Sequence, residues 1–248
     1  MNEASTAGAG EPVVRLSPSL DPRRIAAVFA RHGRVHIPGI FPPEVAARVH
    51  RALTAETPWS RVVSGTTRHY DLGPGGWEAI APEKRDELMQ AVQQMGRTGF
   101  AYFYENFPLA DFHAAGQHLD SYLMRVYEFL NSAPFIEFAR VVTGAPTITF
   151  ADAQATCYRP GDFLTAHDDG VEGKRRRAAY VLNFTPAWRA DWGGILQFLD
   201  ADGHVAEGYA PAFNALNLVR VPQPHAVTYV NPLAGGARYS ITGWLRER

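Results

Sequence analysis

At about Thr147 the sequence changes its period. From there the apolar residues fall in short runs, Thr147 to Tyr158, Ala178 to Thr185, Ile195 to Leu199, Ala215 to Val221, Ala226 to Val230 and Arg238 to Leu245. Gly, Pro, Asp or Asn separates each from the next, the pattern of strands. Before it the period is helical. Asp21-Pro22 opens a helix that keeps Ile25, Val28, Phe29 and His32 in helical spacing and stops at Gly33; Pro42-Pro43-Glu44 opens a second, with a stripe of Val45, Val49, Ala52 and Leu53, that ends before Pro58. Further helices are expected over Glu83 to about Gln94, through Leu119, Tyr122, Leu123, Val126, Phe129 and Leu130, and between Ser132-Ala133-Pro134 and Gly144. Val35 to Gly39 reads as a strand ended by a turn, Val62-Val63 and Arg68-His69-Tyr70 as short strands and loops, and Phe100 to Tyr104 as a strand or turn. Helices first and strands after predict helices buttressing one face of a largely antiparallel sheet or double-sheet barrel.

No long polar linker divides the chain. Residues 16–248 are therefore expected to form one domain behind a small, polar, flexible arm at 1–15, with supporting helices mostly in 16–144 and a barrel mostly in 147–248. A content of 46% hydrophobic and 12% aromatic residues suffices for a packed core. With 24 Lys+Arg against 25 Asp+Glu the formal charge is -1, which argues against a dedicated nucleic-acid or membrane-surface protein. No apolar run reaches the roughly 20 residues of a membrane span, and Met1 to Gly10 lacks a secretory pattern. The single cysteine, Cys157, cannot form an internal disulfide and reads as a small buried side chain; a cytoplasmic protein is expected.

Chemistry concentrates around Tyr158-Arg159-Pro160-Gly161 and the following His167-Asp168-Asp169. If the segment is extended, His167 and Asp169 point to one face and approach one metal ion. A third ligand must come from far along the chain, and His225 is the candidate. Two imidazoles and one carboxylate with open positions opposite them are the facial triad of non-haem iron(II) oxygenases. A structural zinc site needs a fourth protein ligand that the sequence does not place nearby.

The ordered motifs resemble the Fe(II)/2-oxoglutarate-dependent dioxygenases, and within them the prolyl-hydroxylase-like branch. The matching elements are Tyr158-Arg159-Pro160-Gly161 ahead of His167-Asp168-Asp169, Val181-Leu182-Asn183, Gly193-Gly194-Ile195-Leu196-Gln197-Phe198, His225-Ala226-Val227, and Arg238-Tyr239-Ser240-Ile241-Thr242-Gly243-Trp244. The resemblance implies a double-stranded β-helix, a jelly-roll or cupin-like core, with helices against the major sheet. It also implies iron ligation by His167, Asp169 and His225, a cosubstrate contact from Tyr158, and a clamp from Arg238 on the distal carboxylate of 2-oxoglutarate. The implied activity is hydroxylation by Fe(II), 2-oxoglutarate and O2, with ascorbate as a candidate reductant, on a proline of a peptide or intracellular protein. A carboxylate at Asp169 favours hydroxylation over halogenation.

Hydroxylation of a free amino acid or small metabolite, and a catalytically silent metal-binding interaction module, stay open as alternatives. The family can carry an aromatic residue where Val181 stands, to help hold the distal carboxylate; here Thr165, Tyr158 or Ser240 would have to compensate. Ser240, Thr242 and Trp244 share the facing of Arg238 on one strand and would form a pocket wall. Tyr180 either approaches the cosubstrate or fills the barrel. Arg61 to Tyr70, the run Lys174 to Arg177, and the loop with Trp188 and Trp192 are candidate entrance elements.

Overall fold

Asp21 caps the first helix with its carboxylate, which accepts the amides of Arg23 and Arg24. That helix, α1 (Pro22–His32), stops where the left-handed φ of 68° at Gly33 lets its N–H close on the Phe29 carbonyl. The computed structural model describes residues 10–65 and 69–247. Helix α2 (Pro43–Arg51) runs into a wider turn, Ala52–Glu56, and its stripe Val45, Val49, Ala52 and Leu53 is fully buried. Then come α3 (Pro82–Gly96), α4 (Leu109–Ala114), α5 (Tyr122–Leu130) and α6 (Ala133–Thr143). No signal in the sequence marks α4, whose six residues are too few to show a period. Leu119, grouped with the stripe of α5, lies ahead of its first turn and is exposed.

The strands are β1 (Arg34–Pro38), β2 (Ser60–Ser64), β3 (His69–Pro74), β4 (Tyr102–Phe107), β5 (Phe150–Ala151), β6 (Gln154–Tyr158), β7 (Phe163–His167), β8 (Arg176–Asn183), β9 (Leu196–Leu199), β10 (Val205–Tyr209), β11 (Ala215–Arg220), β12 (His225–Val227) and β13 (Arg238–Arg246). The run expected from Thr147 to Tyr158 is split into β5 and β6 around Asp152 and Ala153. Strands β7 and β10 fall outside the expected runs; the residues of β10 are mostly exposed and carry no apolar run. Residues 1–9 of the expected arm, and Arg68 of the expected 68–70 strand, lie outside the described residues. From Glu11 on, the chain is held against the helices, with Glu11 ion-paired to Arg48 at 2.6 Å and the Tyr122 hydroxyl donating to the Pro12 carbonyl at 2.8 Å.

Hydrogen bonding orders the strands β1-β11-β8-β13-β6-β4-β7-β12-β9-β10, with antiparallel pairing throughout. Strand β4 pairs with both β6 and β7 and so carries the sheet round a corner. Arg34 on β1 and Glu207 on β10 form an ion pair between the two ends of the series. The result is a nearly closed barrel of the double-stranded β-helix type. Phe29, Ile37, Phe41, Leu123, Phe135, Leu182, Leu216 and Ile241 belong to the main core, between the helices and the major sheet. Helix α3 packs apart from that core, with Val92 and Met95 against Phe103 of β4 and Phe163 of β7.

Four charged side chains meet at the β4 corner. Arg61 donates to Asp162 at 2.6 Å and to Glu105 at 3.3 Å, while Arg159 donates to the other Glu105 oxygen at 2.8 Å. The backbone N–H of Arg159 reaches the second Asp162 oxygen at 2.8 Å. Arg61, expected near an entrance, is therefore a core residue, 6% exposed and lying over the Phe103 ring. Its paired carboxylates drew it inward, since a buried cation is tolerated only where such partners are supplied. The cluster pins the turn between Tyr158 and β7, and so the entry to the site described next.

Burial pushes the Asp162 carboxyl up to about 7, outweighing the pull of Arg61. In the unfolded chain the same group releases its proton near about 3.9. The folded state thus keeps a proton that the unfolded state has lost, so this contribution to stability is full below pH about 4 and is lost as pH rises through about 7. Urea unfolding of Asp162→Asn should show a shallower fall of stability across that window than the parent protein; parallel curves would contradict the assignment.

Candidate metal centre and active site

Antiparallel register sets His225 of β12 directly opposite His167 of β7, with ring centroids 4.2 Å apart. Each imidazole uses Nδ1 on a backbone carbonyl, His167 on Thr165 at 3.0 Å and His225 on Gln223 at 2.7 Å. A carbonyl only accepts, so Nδ1 carries the proton and Nε2 keeps a free lone pair. Burial and the neighbouring His225 hold the His167 ring below its ordinary range, against the pull of Asp169. The ring is then neutral at neutral pH, the form that binds metal.

Asp169 joins them by a route other than strand alternation. Strand β7 ends at His167, and Asp169 takes a left-handed φ of 62° that folds its carboxylate back. Its two oxygens lie 3.5 Å from His167 Nε2 and 3.4 Å from His225 Nε2. One ligand atom from each of the three residues falls within 4.8 Å of the others. The neighbouring Asp168 carboxylate takes the Gly170 amide instead. Two imidazoles and a carboxylate on one side of a cavity fit a divalent iron ion with positions left open.

The cavity above them measures about 410 Å³. One wall is aromatic, because alternate residues Phe100, Tyr102 and Tyr104 face it from the β4 segment. Tyr104 stacks on Tyr158 at 5.0 Å and 13°, and Phe100 lies 5.3 Å from the His167 ring. Burial pushes the Tyr104 hydroxyl up to about 12 and that of Tyr158 well above its usual value, so both stay protonated donors. No sequence motif marks this wall as part of the cavity. Its signal was present in the aromatic alternation at residues 100, 102 and 104, which needs a partner strand before it acquires a face.

At the inner end Arg238 stands in register with Tyr158. Arg238 is 2% exposed, its guanidinium lies 5.1 Å from the Tyr158 ring centre, and its Nε has no hydrogen-bond partner. Burial works against its charge, and Tyr158 alone is placed to favour it. A buried guanidinium left this way is costly unless an anion fills the space before it. Gly193 and Gly194, at φ 73° and 63°, let the backbone turn beside its stem; a Cβ on Gly194 would meet Arg238 Cδ at 3.5 Å and the Trp188 ring at 3.1 Å.

Ser240, Thr242 and Trp244 line the same cavity as Arg238, as alternation along β13 predicts. Ser240 shares a 2.8 Å hydrogen bond with Thr156 of β6. Thr165 is turned away, accepting the Ala101 amide at 2.8 Å, and is no second carboxylate contact. Tyr180 fills the core and donates to the Asp152 carbonyl at 2.5 Å, while Val181 lines the cavity. Trp188 and Trp192 meet edge to face at 5.3 Å, with Trp188 tied to the Gly193 carbonyl and packed near Tyr158.

The basic run divides. Arg177 forms an ion pair with Glu247 at the surface, but Arg176 turns into the cavity. Its Nη1 donates to the Asp169 carbonyl at 3.1 Å, and its guanidinium lies 3.5 Å above the Trp244 ring. A run of four like charges gives no sequence signal for the one that faces inward.

Residues 153–246 match the model of the 2OG-Fe(II) oxygenase superfamily. Prolyl 3-hydroxylase OGFOD1 of Mus musculus is 34% identical over 106 residues, 40% of this chain and 18% of that protein. The match thus spans less than a fifth of that relative's length. A prolyl-4-hydroxylase from Pseudomonas putida has the same fold, with a TM-score of 0.58 at 19% identity, covering 92% of this chain and 100% of that one. So does a prolyl hydroxylase from Trichoplax adhaerens, in complex with a peptide fragment of the hypoxia inducible factor oxygen degradation domain. Its TM-score is 0.61 at 15% identity, covering 91% of this chain and 89% of that one. Its barrel and triad, together with these likenesses, make the chain similar to the 2OG-Fe(II) oxygenases over residues 153–246 and to prolyl hydroxylases in fold.

Proposed function

We propose that this protein is an Fe(II)- and 2-oxoglutarate-dependent hydroxylase that acts on a prolyl residue of a peptide or protein. The observation that carries it is the buried guanidinium of Arg238, whose Nε has no hydrogen-bond partner among the described residues, in the same cavity as the His167, Asp169 and His225 triad. A metal site alone suits many chemistries. A metal site with a fixed cation deep beside it suits a ligand that chelates the metal at one end and carries a carboxylate at the other.

In this reading the three triad side chains hold iron(II) and leave its remaining positions to 2-oxoglutarate and O2. When bound, that set supplies the oxidation of a C–H bond to an alcohol, with succinate and CO2 as co-products and ascorbate as a reductant that keeps the iron ferrous. The protein's own residues bind and orient. Arg238 fixes the distal carboxylate, Tyr158 bounds it with a protonated phenol, and the Thr156 and Ser240 hydroxyls complete a polar floor. The Phe100, Tyr102 and Tyr104 wall keeps water from the reacting carbon and presents a flat apolar surface to a pyrrolidine ring.

Two exposed apolar residues at the cavity, Phe100 and Val171, support a substrate that continues beyond it. The peptide held by the Trichoplax enzyme of like fold supports the same class. One observation favours the alternative, a free amino acid or small carboxylate, and that is the second cation of the cavity, Arg176. Among the described residues no helix is long and apolar enough to cross a membrane. The lone Cys157, buried and with its thiol pushed up by burial, suits work in the reducing cytoplasm.

Succinate release with Fe(II), 2-oxoglutarate and a library of proline-containing peptides tests the proposal, read together with a gain of one oxygen on the peptide by mass spectrometry. His167→Ala, Asp169→Ala and His225→Ala should each abolish turnover; oxygen found only on small molecules would replace the peptide by the alternative. Arg238→Met removes a buried charge without a partner, so the metal-free, cosubstrate-free variant should be more stable than the parent, by about 1 kcal/mol or more in urea. Added 2-oxoglutarate with Mn(II) should stabilise the parent and not the variant. Equal stabilisation of both would argue against the clamp.

A further inference from the structure

Asp169 is the triad member that local structure holds least well. It lies beyond the end of β7, has no ladder hydrogen bond in that strand, and sits at a left-handed φ of 62°. For a residue other than glycine this conformation costs of the order of 1 kcal/mol and persists only where the surroundings impose it. Its two histidine partners are each fixed by a strand and by an Nδ1 hydrogen bond. Its neighbours are tied locally, the Gly170 amide to the Asp168 carboxylate at 2.9 Å and the Gln223 amide to the Asp168 carbonyl at 3.2 Å, while the Asp169 carbonyl itself is held from another strand.

Arg176 at the start of β8 supplies the contact. Its Nη1 donates to the Asp169 main-chain carbonyl at 3.1 Å, and the same nitrogen lies 4.0 Å from the Asp169 carboxylate, too long for a direct hydrogen bond. The guanidinium plane rests 3.5 Å above the Trp244 ring of β13. Trp244 in turn sits in register with Ala179 of β8, so the platform is fixed by the strand pair that carries Arg176. Asp152, the other acidic group near Arg176, is already paired with Arg246 at 2.9 Å. Arg176 is thus directed at the backbone of the metal ligand.

We propose that Arg176, held flat by Trp244, is a positioning residue that fixes Asp169 for metal binding through its main-chain carbonyl. The inference rests on the reading of His167, Asp169 and His225 as a metal site, and it assigns Arg176 a task other than anchoring a substrate carboxylate. It also makes a prediction with an unusual sign. A cation near a carboxylate ligand repels a divalent ion, so by charge alone the loss of Arg176 should tighten metal binding. If Arg176 acts by position, its loss should weaken binding, on the scale of about tenfold found for groups that orient metal ligands.

The test is titration of the full chain with Mn(II) alone, followed by electron paramagnetic resonance of the free ion, with no substrate or cosubstrate present. Arg176→Ala and Arg176→Lys should each raise the Mn(II) dissociation constant about tenfold, the lysine failing because it offers neither the planar stack nor the fork. Trp244→Leu should raise it in the same direction, and adding Arg176→Ala to it should add little. Circular dichroism melting identifies any variant that fails to fold, in which case the Lys and Leu variants decide. Binding unchanged or tightened in the folded variants, with the parent protein binding Mn(II), overturns the positioning role alone. Failure of the parent itself to bind Mn(II) overturns the metal reading and this inference with it.

Discussion

Antiparallel register is the constraint on which this site depends. Pairing of β7 with β12 puts His225 across from His167, and pairing of β6 with β13 puts Arg238 across from Tyr158. Residues separated by 58 and 80 positions in sequence therefore become neighbours through backbone hydrogen bonds that carry no side-chain information. A shift of either pair by one residue would turn the whole set of side chains to the other face. The helices on the major sheet and the core between them hold that register, with Leu182 of β8, Leu216 of β11 and Ile241 of β13 buried against them.

Two buried arginines show how the fold separates structure from function. Arg61 is enclosed with Asp162 and Glu105, and its charge is matched within the protein. Arg238 is as deeply buried, and among the described residues it is Tyr158 that favours its charge. The first arrangement closes a corner of the barrel. In the proposed reading the second carries a cost that a carboxylate ligand offsets at the inner end of the cavity. Arg176 is a third case, tied to a carbonyl and an aromatic face while it lines the same cavity.

Much of this was legible in the sequence because the signals were local or ordered along the chain. Asp21, Gly33 and Gly144 mark helix ends by their own chemistry, and the period change near Thr147 separates helices from strands. The triad and Arg238 stood out through motif order, and the structure brings all four to one cavity. What stayed hidden depends on partners. The aromatic wall becomes a wall only when β4 turns the corner, Arg176 is distinguished from Arg175 and Arg177 only by where β8 starts, and Arg61 is drawn inward by acids 44 and 101 residues away. Asp169 reaches its place by a left-handed turn where strand alternation alone predicted the same meeting. Thr165 had the right chemistry for a carboxylate contact but is claimed by the Ala101 amide.

A crystal grown anaerobically with Mn(II) and 2-oxoglutarate tests the central claim most directly. Anomalous scattering should give a single metal peak bounded by Nε2 of His167, Nε2 of His225 and the Asp169 carboxylate, with the far carboxylate of the dicarboxylate on Arg238. A metal peak away from those three side chains, or a dicarboxylate seated without touching Arg238, would contradict it.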